Sequence, residues 1–267
     1  MYPKMYTLSL PGDCPWLRDI RYLPVTDSTN TQAKLLAKQG APHGTVLLAD
    51  CQTGGRGRMG RQFLSPAGQG VYMSVILRPG CPPDRLMHLT CAVAVAMCDA
   101  VEAVAGFRPG VKWINDLVAD NRKLGGILTE LSLDAATGLT AYAVVGIGIN
   151  CSQQLSELPP ELQGIAGSIA MVTGKSVNRK DLIAAMICAL HRMDGQLLDG
   201  KQDLMARYRA DCITLGQEVT VHGSSTIWQG TALGLDDDGG LIVRRADGSE
   251  ETVATGEVSV RGLYGYI

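Results

Sequence analysis

Between Gln52 and Arg61 the chain reads QTGGRGRMGR, four glycines and three arginines with no acidic residue among them. Glycine lets the backbone come close to a ligand and take positive φ. Arginine offers planar donors matched to phosphate or carboxylate. Together they specify a loop that wraps an anion. Two further stretches crowd polar groups together. Lys112-Trp113-Ile114-Asn115-Asp116 ends on an amide and a carboxylate, and Arg122-Lys123-Leu124-Gly125-Gly126 sets a lysine at the head of a strand beside two glycines. A lysine there is by itself an exposed charge. Beside an Asn-Asp pair and an Arg/Gly loop, it stands where negative charge develops on a phosphoryl or acyl centre. Gly146-Ile147-Gly148-Ile149-Asn150 ends another strand on an amide; close backbone packing followed by a turn describes it equally well.

Other matches fail on context. Gly55-x-Gly57-x-x-Gly60 fits the dinucleotide fingerprint, but Phe63, Ser65-Pro66 and Gly68 follow where a helix must open. Thr173-Gly174-Lys175-Ser176 has Ile169 where a phosphate-binding loop needs its first glycine, so it reads as a turn before a helix. Asp236-Asp237-Asp238-Gly239 lacks the spaced oxygen ligands of a calcium loop and reads as a hairpin turn. The histidines at 43, 88, 191 and 222 are scattered and no cysteine pair is spaced CxxC, which argues against a zinc site.

The elements that must position these residues are legible in outline. Asp27-Ser28-Thr29-Asn30 is a cluster of N-cap formers ahead of a helix that Gly40 and Pro42 stop. Strands are expected over 45–50, 71–77, 111–114, 123–131 and 139–150, and long amphipathic helices over 84–105 and 181–198. After Gly216 five short strand patterns recur, separated by turn signals at His222-Gly223, Asp236–Gly240 and Asp247-Gly248.

The 267 residues are 46% hydrophobic and 19% charged, which supports a packed core and excludes wholesale disorder. Lys+Arg 24 against Asp+Glu 26 leaves no global positive field for nucleic acid. The longest apolar run, Cys91 to Cys98, is far short of the roughly 20 residues that span a bilayer. No secretory signal is visible at the N-terminus. A cytoplasmic protein is expected, with its eight cysteines reduced and mostly buried.

The motifs Ser28-Thr29-Asn30, Gln52–Arg61, Lys112–Asp116, Arg122–Leu128 and Gly146–Asn150 follow one another in the order seen in biotin protein ligases, and the chain resembles that family over about residues 20 to 267. It departs at Ile114, where the family usually has proline, and at Gly125, where it often has alanine. The resemblance implies an α+β fold: a mixed β-sheet flanked by helices, related to the class II tRNA synthetase core, over 1–214, and a small SH3-like β-barrel over 215–267. It implies ATP-dependent formation of biotinyl-5′-AMP, then transfer of biotin to a lysine on the biotin carboxyl carrier protein of a carboxylase. Carried onto this chain, Lys123, Arg58 and Asp116 are catalytic. Ser28, Thr29, Asn30, Gln52, Arg56, Gly57, Arg58 and Lys123 bind biotin. Arg58, Arg61, Lys112, Trp113, Asn115, Asp116 and Asn150 bind ATP, with Asp116 on Mg²⁺. The loop is expected to shield the mixed anhydride from water. About twenty residues precede these motifs, too few for the DNA-binding domain of some members, which implies the ligase-only type. Some members dimerise through the catalytic sheet, and dimerisation stays open here. A lipoate or octanoate ligase and a non-catalytic biotin sensor are the alternatives, although a sensor has no need of Lys123.

Overall fold

The computed structural model describes residues 14–222, 226–254 and 259–262. Seven strands form the larger sheet: β1 (Ile20–Thr26), β2 (Val46–Gln52), β3 (Gly70–Leu77), β4 (Gly110–Lys112), β5 (Asp116–Ala119), β6 (Arg122–Leu133) and β7 (Thr140–Asn150). Their order is β1-β2-β3-β7-β6-β5-β4. Only β1 and β2 pair in parallel; every other pair is antiparallel, so the sheet is mixed.

The two faces of this sheet differ because side chains alternate along a strand. On one face Met73 and Val75 of β3, Ile127 of β6, and Val145, Ile147 and Ile149 of β7 join a single buried apolar cluster. Helices α2 (Leu89–Ala105), α4 (Arg179–Asp194) and α5 (Lys201–Asp211) cover that face, and the short α3 (Ile169–Thr173) precedes α4. On the other face the short helix α1 (Thr29–Lys38) packs Ala33 and Ala37 on Leu47, Ile76, Tyr142 and Val144. Past the N-terminal end of α1 no helix among the described residues covers that face, and the glycines and polar residues begin.

The expected helix over 84–105 is divided: a 3-10 turn (Pro83–Leu86) precedes α2, because Pro82-Pro83 fixes the entry. Pro83–Ala105 is, among the described residues, the one stretch long and apolar enough to cross a membrane, and 67% of its most apolar window is buried within the protein. It is the core helix. Burial pushes the thiols of Cys91, Cys98 and Cys151 up, the last to about 12, in keeping with packing rather than chemistry. All eight cysteines are free.

The second sheet contains β8 (Glu218–His222), β9 (Ile227–Leu235), β10 (Leu241–Arg244), β11 (Glu250–Val253) and β12 (Ser259–Gly262), all antiparallel, in the order β11-β10-β9-β8-β12. Among the described residues its edge strands β11 and β12 do not pair, so closure of the expected barrel is not seen there. The turn expected at His222-Gly223 extends outside the described residues. The Asp236 carboxylate accepts from the backbone N–H groups of Asp238 (2.9 Å) and Gly240 (2.7 Å), closing the hairpin foreseen there. Gly239, at φ 88°, brings the backbone so close to Cys91 that a Cβ would lie 2.6 Å from its sulfur. That turn docks the small sheet on the large one, where the buried Trp113 indole donates to the Gly239 carbonyl (2.8 Å). Leu235, Leu241, Val243 and Val253 belong to the main apolar cluster, so the core runs on across the 214/215 boundary.

Candidate active site

A cavity of about 740 Å³ opens on the uncovered face of the large sheet. Its floor is the glycine-bearing part of β6 and β7. One wall is the excursion between β2 and β3, and the other is the segment 158–166. Five basic side chains (Arg56, Arg58, Arg61, Lys112, Lys123) line it against one acidic one, Asp116. The cavity favours an anionic ligand.

The floor explains the glycines of β7. A Cβ on Gly146 would lie 2.0 Å from Asn30 Oδ1, and one on Gly148 would lie 2.5 Å from the Phe63 ring. The strand therefore accepts a helix terminus and a loop aromatic directly against its backbone. Gly126 leaves similar room for Lys123, whose Nζ would lie 3.3 Å from an added Cβ.

Ser28 caps α1 and, with Thr29 and Asn30, is almost fully buried. Thr29 donates through N–H (2.8 Å) and hydroxyl (3.2 Å) to Gln52 Oε1, and Gln52 donates to Ser65 Oγ (2.8 Å). The buried Ser74 hydroxyl lies 2.8 Å from Thr29 Oγ1 and 2.6 Å from Asn30 Oδ1. Buried polar groups so interlocked hold fixed positions. At one end of the cavity they make a fixed polar lining.

The Gly/Arg loop is an irregular hairpin, bridged at Gln52–Ser65 and Arg56–Gln62, that turns at Met59 (φ 55°) and Gly60 (φ 73°). Its two inner arginines diverge. Arg58 reaches inward and donates to Asn115 Oδ1 (3.3 Å), while Asn115 Nδ2 donates to the Ile127 carbonyl (3.0 Å). Burial pulls the Arg58 guanidinium below its ordinary value; nearby Asp116 opposes this and Arg61 adds to it. A desolvated, incompletely compensated cation beside a cavity is suited to a phosphate. Arg56 instead turns back and pairs with Glu130 of β6 (3.0 Å).

Lys123 and Asp116 meet at 2.6 Å across the β5–β6 pair. The backbone of Lys123 is gripped from the far wall, donating to Ile165 O (2.7 Å) and accepting from Gly167 N–H (2.9 Å). Two residues foreseen as nucleotide contacts serve this scaffold as well. Asn150 donates to Gly167 O (2.9 Å) and accepts from Gln153 (3.1 Å). Trp113 is a cavity neighbour whose indole N–H is engaged by Gly239. Arg61 is exposed at the mouth and Lys112 is partly buried.

Sequence reasoning missed Phe63, Glu130, Gln153 and the whole wall 158–166. Leu158, Leu162 and Ile165, spaced among Pro159, Pro160 and Gly164, were its signal. Gln153 is buried, and its Oε1 has no partner among the described residues.

This geometry can be set beside known proteins. Residues 22–150 match the Biotin/lipoate A/B protein ligase family, and residues 214–261 match the Biotin protein ligase C terminal domain. The bifunctional ligase/repressor BirA of Bacillus spizizenii is 35% identical over 228 residues, 85% of this chain and 70% of that protein. The chain belongs to the biotin protein ligase family. The biotin–[acetyl-CoA-carboxylase] ligase of Paracoccus denitrificans is 31% identical over 84% of this chain and 94% of its own length. The biotin protein ligase of Aquifex aeolicus, solved in complex with biotin and ATP, superposes with a TM-score of 0.79 at 28% identity, covering 92% of this chain and 99% of that one.

Proposed function

We propose that this ligase activates biotin with ATP and transfers it to a lysine of a biotin carboxyl carrier protein. The observation that carries the reading is one cavity holding three parts in sequence: an interlocked Ser-Thr-Asn-Gln lining, the Lys123–Asp116 pair (2.6 Å), and the half-desolvated Arg58. The ureido ring of biotin lies against Ser28, Thr29, Asn30 and Gln52, with Arg56 and Gly57 in the loop above it. Its carboxylate then points toward Lys123.

Both reactants are anions and repel until cations are set between them. Lys123 joins the carboxylate to the α-phosphate, and Arg58 and Arg61 neutralise phosphate charge. A carboxylate oxygen of biotin attacks the α-phosphorus, the α–β bridging bond breaks, and pyrophosphate leaves. The amine of the carrier lysine then attacks the acyl carbon, and AMP departs. Lys112, Trp113, Asn115 and Asn150 hold the nucleotide. Gln153 places a free acceptor on the same wall.

Among the described residues no group of three or more His, Cys, Asp or Glu side chains could hold a metal. Asp116 is, among the described residues, the single carboxylate lining the cavity, which fits Mg²⁺ carried in by the phosphates with one protein ligand at most. Bound there, the ion supplies charge neutralisation for the departing pyrophosphate.

Biotin-dependent ATP–pyrophosphate exchange tests the reading, run beside lipoate and a control without acid. Exchange with biotin alone is expected. Exchange with lipoate alone moves the substrate to the other branch of the matched family, and exchange with neither, from folded protein, refutes adenylation.

A further inference from the structure

Glu130 belongs to no cavity wall, yet three groups converge on its carboxylate. Lys34 Nζ of α1 lies 2.7 Å from Oε1; Asn30 Nδ2 and Arg56 donate to Oε2, each at 3.0 Å. Glu130 and Arg56 are 74 residues apart, so this contact closes the Gly/Arg loop onto the sheet. The loop thus has two arginine attachments of different kinds. Arg58 is bound to a neutral amide at 3.3 Å inside the cavity, where an anionic ligand can take its place. Arg56, which also lines the cavity, is bound to a carboxylate that belongs to no cavity wall, and charge-assisted bonds of this type are roughly twice as strong as neutral ones.

We infer that Glu130 is a latch: through Arg56 it holds the base of the Gly/Arg loop on the sheet while Arg58, nearer the tip, exchanges between Asn115 and the ligand. Glu130 touches no reacting atom and is a positioning residue. Because its Oε2 also accepts from Asn30, the latch couples the loop to the polar end of the cavity. A loop hinged at Arg56 covers an acyl adenylate during its lifetime; one that has lost the hinge lets the intermediate out.

The second half of this inference rests on the proposed function, and the first half does not, so two readouts separate them. Trypsin cuts after arginine, and the loop offers Arg56, Arg58 and Arg61. Glu130→Gln keeps an acceptor for Asn30 and removes the charge that Arg56 needs. In ligand-free protein the variant is expected to be cut after Arg58 and Arg61 about tenfold faster than the wild type, with cuts elsewhere unchanged. Equal cutting rates at these sites overturn the latch whatever reaction the protein performs. In a single turnover with biotin and ATP, Glu130→Gln is expected to form the intermediate within about twofold of the wild-type rate and release it about tenfold faster. Arg56→Gln gives the same release, and the double variant is no leakier than either single one, because one interaction is lost in all three. Wild-type retention in Glu130→Gln, or multiplied effects in the double variant, overturns the latch. If the wild type forms no intermediate, the functional reading fails and the trypsin result alone decides.

Discussion

The two faces of the seven-stranded sheet are built on the same strands and do opposite work. On the helix-covered face, Met73, Val75, Ile127, Val145 and Ile147 are all but fully buried against α2 and α4. One residue along each strand, on the other face, stand Ser74, Gly126, Gly146 and Gly148, together with the polar groups they admit. Every residue of β3 and of the stretch 142–150 in β7 is buried, so burial alone does not tell the faces apart. What differs is whether the neighbour is an apolar side chain or a fixed polar one. Under the proposed function, stability is concentrated on the first face and chemistry on the second.

Changes on the two faces therefore have different consequences. The largest effect on activity is expected from Lys123→Ala. Losing the cation between two anions should lower pyrophosphate exchange by about a hundredfold to a thousandfold, since comparable transition-state charge stabilisers contribute that much. A melting temperature close to that of the wild type would show that the loss is chemical. A rate within tenfold of wild type would remove Lys123 from the reacting centre.

Gly146→Ala comes next. Its methyl group would collide with Asn30 Oδ1 at 2.0 Å, so Asn30 must move and break its contacts with Ser74 and Glu130. The expected result is a biotin KM raised about tenfold to a hundredfold, with a stability loss of about 1–3 kcal/mol from overpacking. On the opposite face, Met73→Ala, at a fully buried residue that does not line the cavity, should cost about 2–5 kcal/mol of unfolding free energy through the void it leaves. Its KM for biotin should stay unchanged in the fraction that remains folded. Denaturant melts and steady-state kinetics on this pair test the division directly. If Met73→Ala changed KM while Gly146→Ala changed only stability, the division of labour would be wrong.

Arg58→Gly should leave a loop that still latches through Arg56 but lacks the phosphate contact, so the intermediate escapes faster. Unaltered retention would show that the loop has no shielding role. The smallest effect is expected from pH. Burial raises the Glu130 pKa, but hydrogen bonds from Lys34 and Asn30 and the charge of Arg56 outweigh this and hold it below the ordinary glutamate value. A depressed carboxylate contributes stability that is present above its unfolded pKa and lost as pH falls through the lower folded value. The latch should therefore persist at neutral pH and fail only well into acid. Tryptic cutting of the loop that accelerated already between pH 7 and 6 would contradict that.

The dry face was legible because apolar residues repeating at strand and helix periods are what a core needs. β3, β7 and α4 lie within a few residues of expectation. Elements that escaped are those whose pattern is weak. β1 carries Pro24 and Arg21 on an edge, β5 is four residues long, and α5 buries only Leu204, Met205 and Tyr208 from a polar helix. Of the wet face, the Gly/Arg loop and Lys123 announced themselves through residue types out of place in a strand or helix. Glu130 did not, because a glutamate in a strand looks solvated until a loop 74 residues away is folded onto it. Gln153 and the wall 158–166 were hidden for a like reason: their role depends on Asn150 and the Lys123 backbone, contacts that only the fold brings together. Arg56 and Arg58, alike in sequence, were separated only by the residues they reach, Glu130 of β6 and Asn115.

The most direct measurement is a single turnover of the wild type with biotin and ATP labelled at the α-phosphate, quenched before and after addition of a biotin carrier domain. Label is expected first as enzyme-bound biotinyl-AMP and then, after the carrier is added, as free AMP with one biotin on a carrier lysine. Label that stays in ATP throughout, with biotin bound and the protein folded, would contradict the claim that this cavity joins the two anions.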